Sequence, residues 1–255
     1  MKRFLCAIAF LTRFPVPPQL NFGAEDVGKS TLFFPLIGIG LGAIQLAFLQ
    51  LLKFGGISFD TNLKAILAAI LLLIINALAT GALHFDGLAD MADGFGGGRD
   101  KEKILLIMRD SLIGSYGATA LILLILLKVT AIAALIQTAD TQKFLILAPM
   151  FGRWATVPFG KFMPYARPSG GLGSSVTDHV GWTEVLGATL IVCAAIYFFG
   201  DWKNSLICWL IVCLTTAYIA RLCLKKIGGV TGDTLGANTE ICEAFVLLTA
   251  VFLTK

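Results

Sequence analysis

Charge is what this chain has least of. Only 14% of its 255 residues are Asp, Glu, Lys or Arg, whereas 57% are hydrophobic, far more apolar sequence than one soluble core of that size uses. The shortage excludes an ordinary water-soluble domain and leaves an integral membrane protein. Paired cysteines are missing too. The six cysteines, at 6, 193, 208, 213, 223 and 242, form no CxxC pair and lie mostly inside apolar runs, so neither a zinc site nor a disulfide framework is indicated. No internal repeat, low-complexity tract or linker divides the chain, which reads as a single membrane-embedded domain over 1–255. No cleavable signal is evident. The segment MKRFLCAIAFLTRF starts with basic residues, but its apolar stretch is short and is broken by Arg13 and Pro15. It predicts an amphipathic or re-entrant helix. Nothing calls for a nucleic-acid partner, and a homo-oligomer is left open.

Long apolar runs are abundant. Those able to cross about 30 Å of hydrocarbon occur at 31–52, 63–83, 112–136, 144–162, 182–199, 205–224 and 235–253. They predict an all-α, polytopic bundle of about seven transmembrane helices in a lipid bilayer, or eight if the amino-terminal segment inserts. Pro35, Pro149, Pro158, Arg153 and Glu243 interrupt several of these runs. With the amino terminus placed in the cytoplasm, thirteen cations fall in inner segments, Lys53, Lys64, Lys128, Lys143, Lys203 and Lys255 fall outside, and Arg153 stays within a span. The positive-inside rule favours that orientation. The acids divide further, with only Asp60, Asp140 and Asp201 outside, and such crowding on one side marks a site.

The most acidic stretch is HFDGLADMADGFGGGRDKEKILLIMRDSLIGSYG, from His84 to Gly117. Asp86, Asp90 and Asp93 recur at i, i+4 and i+7, which puts them on one face of a helix. Like charges beside hydrocarbon repel, and a divalent cation relieves the repulsion; hard carboxylate ligands suit Mg²⁺ or Mn²⁺. A solvated acidic loop is the plainer alternative. Gly94, Gly96, Gly97 and Gly98 can turn backbone N–H groups onto a phosphate, with Arg99 behind them, or can simply make a tight turn between helices. Ser111 is placed to cap the next span while Arg109 pairs with Asp110 or grips a phosphate. His84 is a base, a metal ligand or, more simply, an interfacial hydrogen bonder.

A second acidic set follows in GGVTGDTLGANTEICEAF, where Asp233 and Glu240 stand seven apart, Asn238 lies between them and Glu243 comes one turn later. Either these acids complete the site, or the segment packs helices and Glu243 pairs with a lysine. Arg153 is read as an anion clamp or as the partner of a buried acid, and Arg167 sits in YARPSGGLG. Arg13, ahead of Pro15 and Pro17, contacts substrate or anchors the chain at the interface.

These motifs together resemble one family, the cobalamin synthases or adenosylcobinamide-GDP ribazoletransferases. FLTRFPVP (10–17), GALHFDGLADMADGFGGG (81–98), MRDSLIGSYG (108–117), YARPSGGLG (165–173) and GGVTGDTLGA (228–237) cover nearly the whole chain in family order. Met91 replaces a smaller residue, and Ser169-Gly170-Gly171 replaces an acid-containing version. The resemblance implies attack by a ribose hydroxyl of α-ribazole, or of its 5'-phosphate, on adenosylcobinamide-GDP with loss of GMP. It also implies magnesium, as one ion or two, at the prokaryotic inner membrane with the site facing the cytoplasm. Under it the metal ligands are Asp86, Asp90 and Asp93, joined by Asp233 and Glu240 at a second site; Arg109 and Asp110 act with the aspartates. Arg13, Gly96, Gly97, Arg99, Ser111, Arg153, Arg167 and Asn238 would hold substrate. CDP-alcohol phosphotransferases share a DG-x-x-A motif, but theirs continues with arginine where this chain has Asp90. An ion-coupled transporter would place its acids near the midplane between repeats, and membrane prenyltransferases space theirs differently.

Overall fold

The computed structural model describes every residue except Asp60, Ser169, Gly200, Thr254 and Lys255, together with all side chains but that of Leu172 among the rest. Asp60 and Lys255, assigned to the outer side, and Ser169 of the arginine loop therefore lie outside the described residues. Most of the rest is helical. Its elements are α1 (Lys2–Leu11), α2 (Ala24–Ser30), α3 (Phe34–Phe54), α4 (Asn62–Thr80), α5 (Leu83–Gly97), α6 (Lys101–Ile107) and α7 (Ser115–Leu135). There follow α8 (Phe144–Phe162), α9 (Leu172–His179), α10 (Trp182–Phe199), α11 (Trp202–Ile227) and α12 (Gly232–Leu253). Among the described residues the sole β-type pairing is an isolated parallel bridge between Tyr165 and Val230.

Six segments are long and apolar enough to span a bilayer: 24–54, in which α2 runs into α3, and then α4, α7, α10, α11 and α12. The seventh expected span, α8, has the length, but Arg153, Lys161 and two prolines dilute its apolarity. It is kept dry by protein. Nearly all of its side chains are buried, against α3 and α12 and, more lightly, α10 and α11. The outer helices turn large apolar side chains outward, such as Leu67, Leu71 and Leu78 on α4 and Leu210, Leu214 and Tyr218 on α11. A bundle greasy on its outside belongs in lipid. At ten residues, about 15 Å long, α1 cannot cross it. Instead α1 buries Cys6, Ala7 and Leu11 and sets Phe4 and Phe10 against Phe33 and Phe34, which removes the eighth span.

The polar core of the bundle corrects several expectations. Lys128 is no outer-loop cation: it lies within α7, 1% exposed, and donates to Glu240 Oε2 at 2.6 Å and Glu243 Oε2 at 2.7 Å. Arg153 of α8 pairs with the other oxygen of Glu243 and donates to the Pro149 carbonyl at 3.1 Å. Arg153 is thereby committed to a buried acid and is not a substrate clamp, and Glu240 is committed to a lysine and is not a metal ligand. Two cations meet two carboxylates, so the network is neutral. Asn238 is also interior. Its amide donates to Thr216 of α11 at 3.3 Å, where it joins two helices, fully buried, and lines neither opening beside Asp86.

Breaking one partner of such a network leaves an uncompensated buried charge, at about 3–5 kcal/mol. Arg153→Met should therefore lower the thermal midpoint in detergent sharply. Arg153→Met combined with Glu243→Gln, which restores neutrality around Lys128, should recover most of the loss. A double variant no more stable than the single one would show that charge balance is not what matters here.

Candidate active site

A sharp turn starts the site. The span α4 ends on Gly81 at φ +66°, and Ala82 follows at φ +56°, so two successive left-handed residues swing the chain out of the membrane span and into α5. The left-handed region is unfavourable for Ala, and the segment 12–14 braces the turn: the Arg13 N–H donates to the Ala79 carbonyl at 2.7 Å, and the Arg13 guanidinium lies over Gly81. The carboxyl end of α5 is held by Lys226, whose ammonium donates to the Phe95 carbonyl at 2.6 Å.

On α5 the three aspartates differ in burial. Asp86 is exposed, Asp90 half-buried and Asp93 buried. Gly87 explains what they face, since a Cβ there would stand 2.7 Å from the Asp233 carbonyl; with only hydrogen in that place, α5 lies directly on the first turn of α12. Asp233 comes in beside Asp86 and Asp90 as a result. Burial, then the carboxylates of Asp233 and Asp86, push the Asp90 pKa up to about 7, against the pull of Arg167. Arg167 Nη2 binds Asp233 Oδ2 at 2.9 Å. It is delivered there by the short bridge that pairs Ala166 N–H with the Val230 carbonyl at 2.8 Å and Val230 N–H with the Pro164 carbonyl at 2.9 Å.

Two openings adjoin this cluster, and Asp86 lines both. One, of about 480 Å³, also has Arg13, Asp90 and Ser111 on its wall. The other, of about 350 Å³, has His84, Asp233, Thr156 and Thr239. His84 is buried, not interfacial, and its Nδ1 has no partner among the described residues. Burial, followed by Arg153, brings its pKa down to about 3, so the imidazole is neutral.

The remaining expected site residues stand apart from the cluster or have local tasks. Asp93 does not point at the other carboxylates: Oδ2 accepts from Gly114 N–H at 2.7 Å and Oδ1 from Gly117 N–H at 2.8 Å. It thus caps α7, the task expected of Ser111, and Gly114 and Gly117 leave the room its carboxylate occupies. Gly96 and Gly97 form no phosphate loop. They belong to the last turn of α5, where Gly96 packs under the Tyr116 ring and Gly97 faces Ile107. Arg99 is exposed just beyond that turn. Asp110 accepts from Leu112 N–H at 3.0 Å in a local turn. Arg109 is exposed, and its charge reaches Tyr165 next to Arg167. Among the described residues no three His, Cys, Asp or Glu side chains converge tightly enough to form a closed metal cage. The donor set of Asp86, Asp90 and Asp233 is nevertheless all hard oxygen and carries more negative charge than Arg167 offsets. That suits an ion such as Mg²⁺, which keeps several waters and shares substrate phosphates. The position of Lys128 inside an apolar run is the sequence signal of its buried acid partners, whereas no signal in the sequence marks Thr156 and Thr239 as lining the smaller opening.

The two kinds of aspartate separate by stability. Asp93→Asn places an amide against two backbone donors and should cost about 1–3 kcal/mol, lowering the thermal midpoint. Asp90→Asn removes a repelled charge, so its midpoint should match or exceed that of the wild type. Equal losses in the two variants would contradict the division.

Comparison with known proteins gives the same answer over the same length. The chain is 37% identical to the adenosylcobinamide-GDP ribazoletransferase of Pseudomonas savastanoi pv. phaseolicola, over 99% of this chain and 100% of that protein. It is 36% identical to the protein of that name from Brevibacillus brevis, over 98% of each, and 35% identical to the one from Chlorobaculum tepidum, over 100% of this chain and 97% of that protein. No solved structure matches. The sequence model of the Cobalamin-5-phosphate synthase family matches residues 3–251, and the chain belongs to that family.

Proposed function

We propose that this enzyme joins adenosylcobinamide-GDP to α-ribazole, or to α-ribazole 5'-phosphate, giving adenosylcobalamin or its 5'-phosphate and GMP, the last step of nucleotide loop assembly. The observation that carries this reading is the match to adenosylcobinamide-GDP ribazoletransferases along the whole chain, joined to a cluster of Asp86, Asp90, Asp233 and Arg167 at the meeting of two openings. The ribose hydroxyl oxygen forms a bond to the phosphorus that carries cobinamide. The bond from that phosphorus to the GMP oxygen breaks with its electron pair, and the hydroxyl proton is released. Little covalent work falls to the protein in such a transfer; positioning and neutralisation of charge dominate.

Arg167, held by Asp233, and Arg13, braced over Gly81, are the cations at the cluster and would hold phosphate oxygens. Asp86, Asp90 and Asp233 are the residues that would hold Mg²⁺, as one ion or two. When bound, magnesium supplies positive charge to the phosphate oxygens that gain negative charge during transfer. The residues themselves orient donor and acceptor on either side of Asp86. Location in the prokaryotic inner membrane, with the site toward the cytoplasm, is supported by thirteen cations on that side against five once Lys128 is set aside.

Purified protein should release GMP only when both substrates are present. Chelation should abolish release and Mg²⁺ restore it. Asp233→Ala should lower turnover by at least ~10², the scale of a lost charge-stabilising contact; near-normal turnover per folded molecule would remove Asp233 from the site. In a background without native cysteines, Gly97→Cys should be labelled from the cytoplasmic side and Asn204→Cys from the opposite side. Labelling of both from one side would overturn the orientation.

A further inference from the structure

Of the two openings beside Asp86, the smaller one has features that the transfer chemistry alone does not use. Its volume, about 350 Å³, lies at the lower end of the roughly 300–1,000 Å³ usual for small-molecule sites. Such a chamber encloses a nucleoside but not a corrinoid carrying a nucleotide. One wall is aromatic: Phe10 of α1 and Phe34 of α3 line it, their rings stacked 5.8 Å apart at 16°.

Another wall is polar. His84 is 7% exposed and lines the chamber, and its buried Nδ1 has no partner among the described residues. Thr156 and Thr239 are linked through their hydroxyls at 2.9 Å, and Thr239 also donates to the Leu235 carbonyl at 3.1 Å. Its one proton is therefore used and the Thr156 proton makes the link; Thr239 is fully buried, so the oxygen of Thr156 is the acceptor of this pair that a ligand can meet. Asp86 and Asp233 add carboxylate oxygens. A wall rich in acceptors beside an aromatic face matches a ligand with several hydroxyl donors and a flat base.

We propose that this chamber is the pocket for the acceptor nucleoside, its aromatic base against Phe10, which Phe34 backs, its ribose hydroxyls on His84 and Thr156, and its attacking hydroxyl toward Asp86 and Asp233. The assignment rests on the transfer reaction proposed above and goes beyond it by giving the two substrates separate places. His84 acts here as a hydrogen-bonding group that holds the ribose. The larger opening, with Arg13, Asp90 and Ser111, is left to the phosphates of the donor.

The experiment uses the full chain in detergent, with α-ribazole as the probe. Equilibrium binding of labelled α-ribazole is measured without donor, and steady-state kinetics are run with each substrate varied. His84→Ala and Phe10→Leu should each raise the KM for α-ribazole about tenfold or more, with matching loss of binding, and should leave the KM for adenosylcobinamide-GDP within about twofold. His84→Gln should recover part of the loss. Phe10, on the short helix at the rim of the bundle, carries the test if His84→Ala fails to fold. Acceptor KM and binding unchanged in both variants, or a rise confined to the donor KM, would overturn the assignment. Wild-type protein that binds α-ribazole with loss of binding in the variants, yet releases no GMP, would overturn the reaction and keep the pocket. Wild-type protein that neither binds nor turns over would overturn both.

Discussion

The neutral network of Lys128, Glu240, Glu243 and Arg153 fixes where α12 stands, and the site depends on that. Buried ion pairs add little net stability compared with well-packed apolar groups, but a mismatched one is costly, so they specify register. Glu240 and Glu243 can meet Lys128 of α7 and Arg153 of α8 at only one rotation and depth of α12. Asp233 lies seven residues before Glu240, two helical turns and about 10 Å along the axis, on nearly the same face. Locking the interior acids thus points Asp233 at α5.

Two further contacts turn that placement into a site. At Gly87 the absence of a side chain lets α5 rest on the Asp233 backbone, which brings carboxylates from distant parts of the chain within range. The Tyr165–Val230 bridge then lays Arg167 across Asp233. Repulsion among Asp86, Asp90 and Asp233 is only partly offset by Arg167 and Arg13, and a cluster left with excess negative charge in a half-dry cleft is suited to cations and to the phosphates they accompany. Asp93 belongs to the same helix yet serves the architecture: it fastens the amino-terminal turn of α7, the helix that also carries Lys128.

Much of this was legible in the sequence. Apolar run lengths gave the membrane bundle, and the i, i+4, i+7 spacing gave a helix that carries the aspartates. Spacing reports the face of a helix but not its depth or its neighbours, which is why Asp233 and Glu240 looked like one ligand pair although one stands at the mouth and the other in the core. For the same reason sequence leaves Arg153 open between a clamp and the partner of a buried acid, and puts Asn238 at the substrate, since their partners on α12 and α11 are remote in sequence. The glycine run suggests a loop because glycine is permissive; Gly94, Gly96 and Gly97 instead stay helical, packed against Met108, Tyr116 and Ile107, and Gly98 alone leaves the helix. Lys128 was counted with the loops, whereas a lysine inside an apolar run calls for a buried acid.

If Asp86 and Asp90 of α5 and Asp233 of α12 hold a cation as proposed, they hold it in one shared site. Mn²⁺ binding, followed by paramagnetic resonance on protein in lipid nanodiscs, tests it through a double-mutant cycle of Asp90→Asn and Asp233→Asn. A shared site requires strong non-additivity: either substitution alone should remove most of the high-affinity binding, and the second should add little. Additive losses, or high-affinity binding that survives in the double variant, would contradict the account.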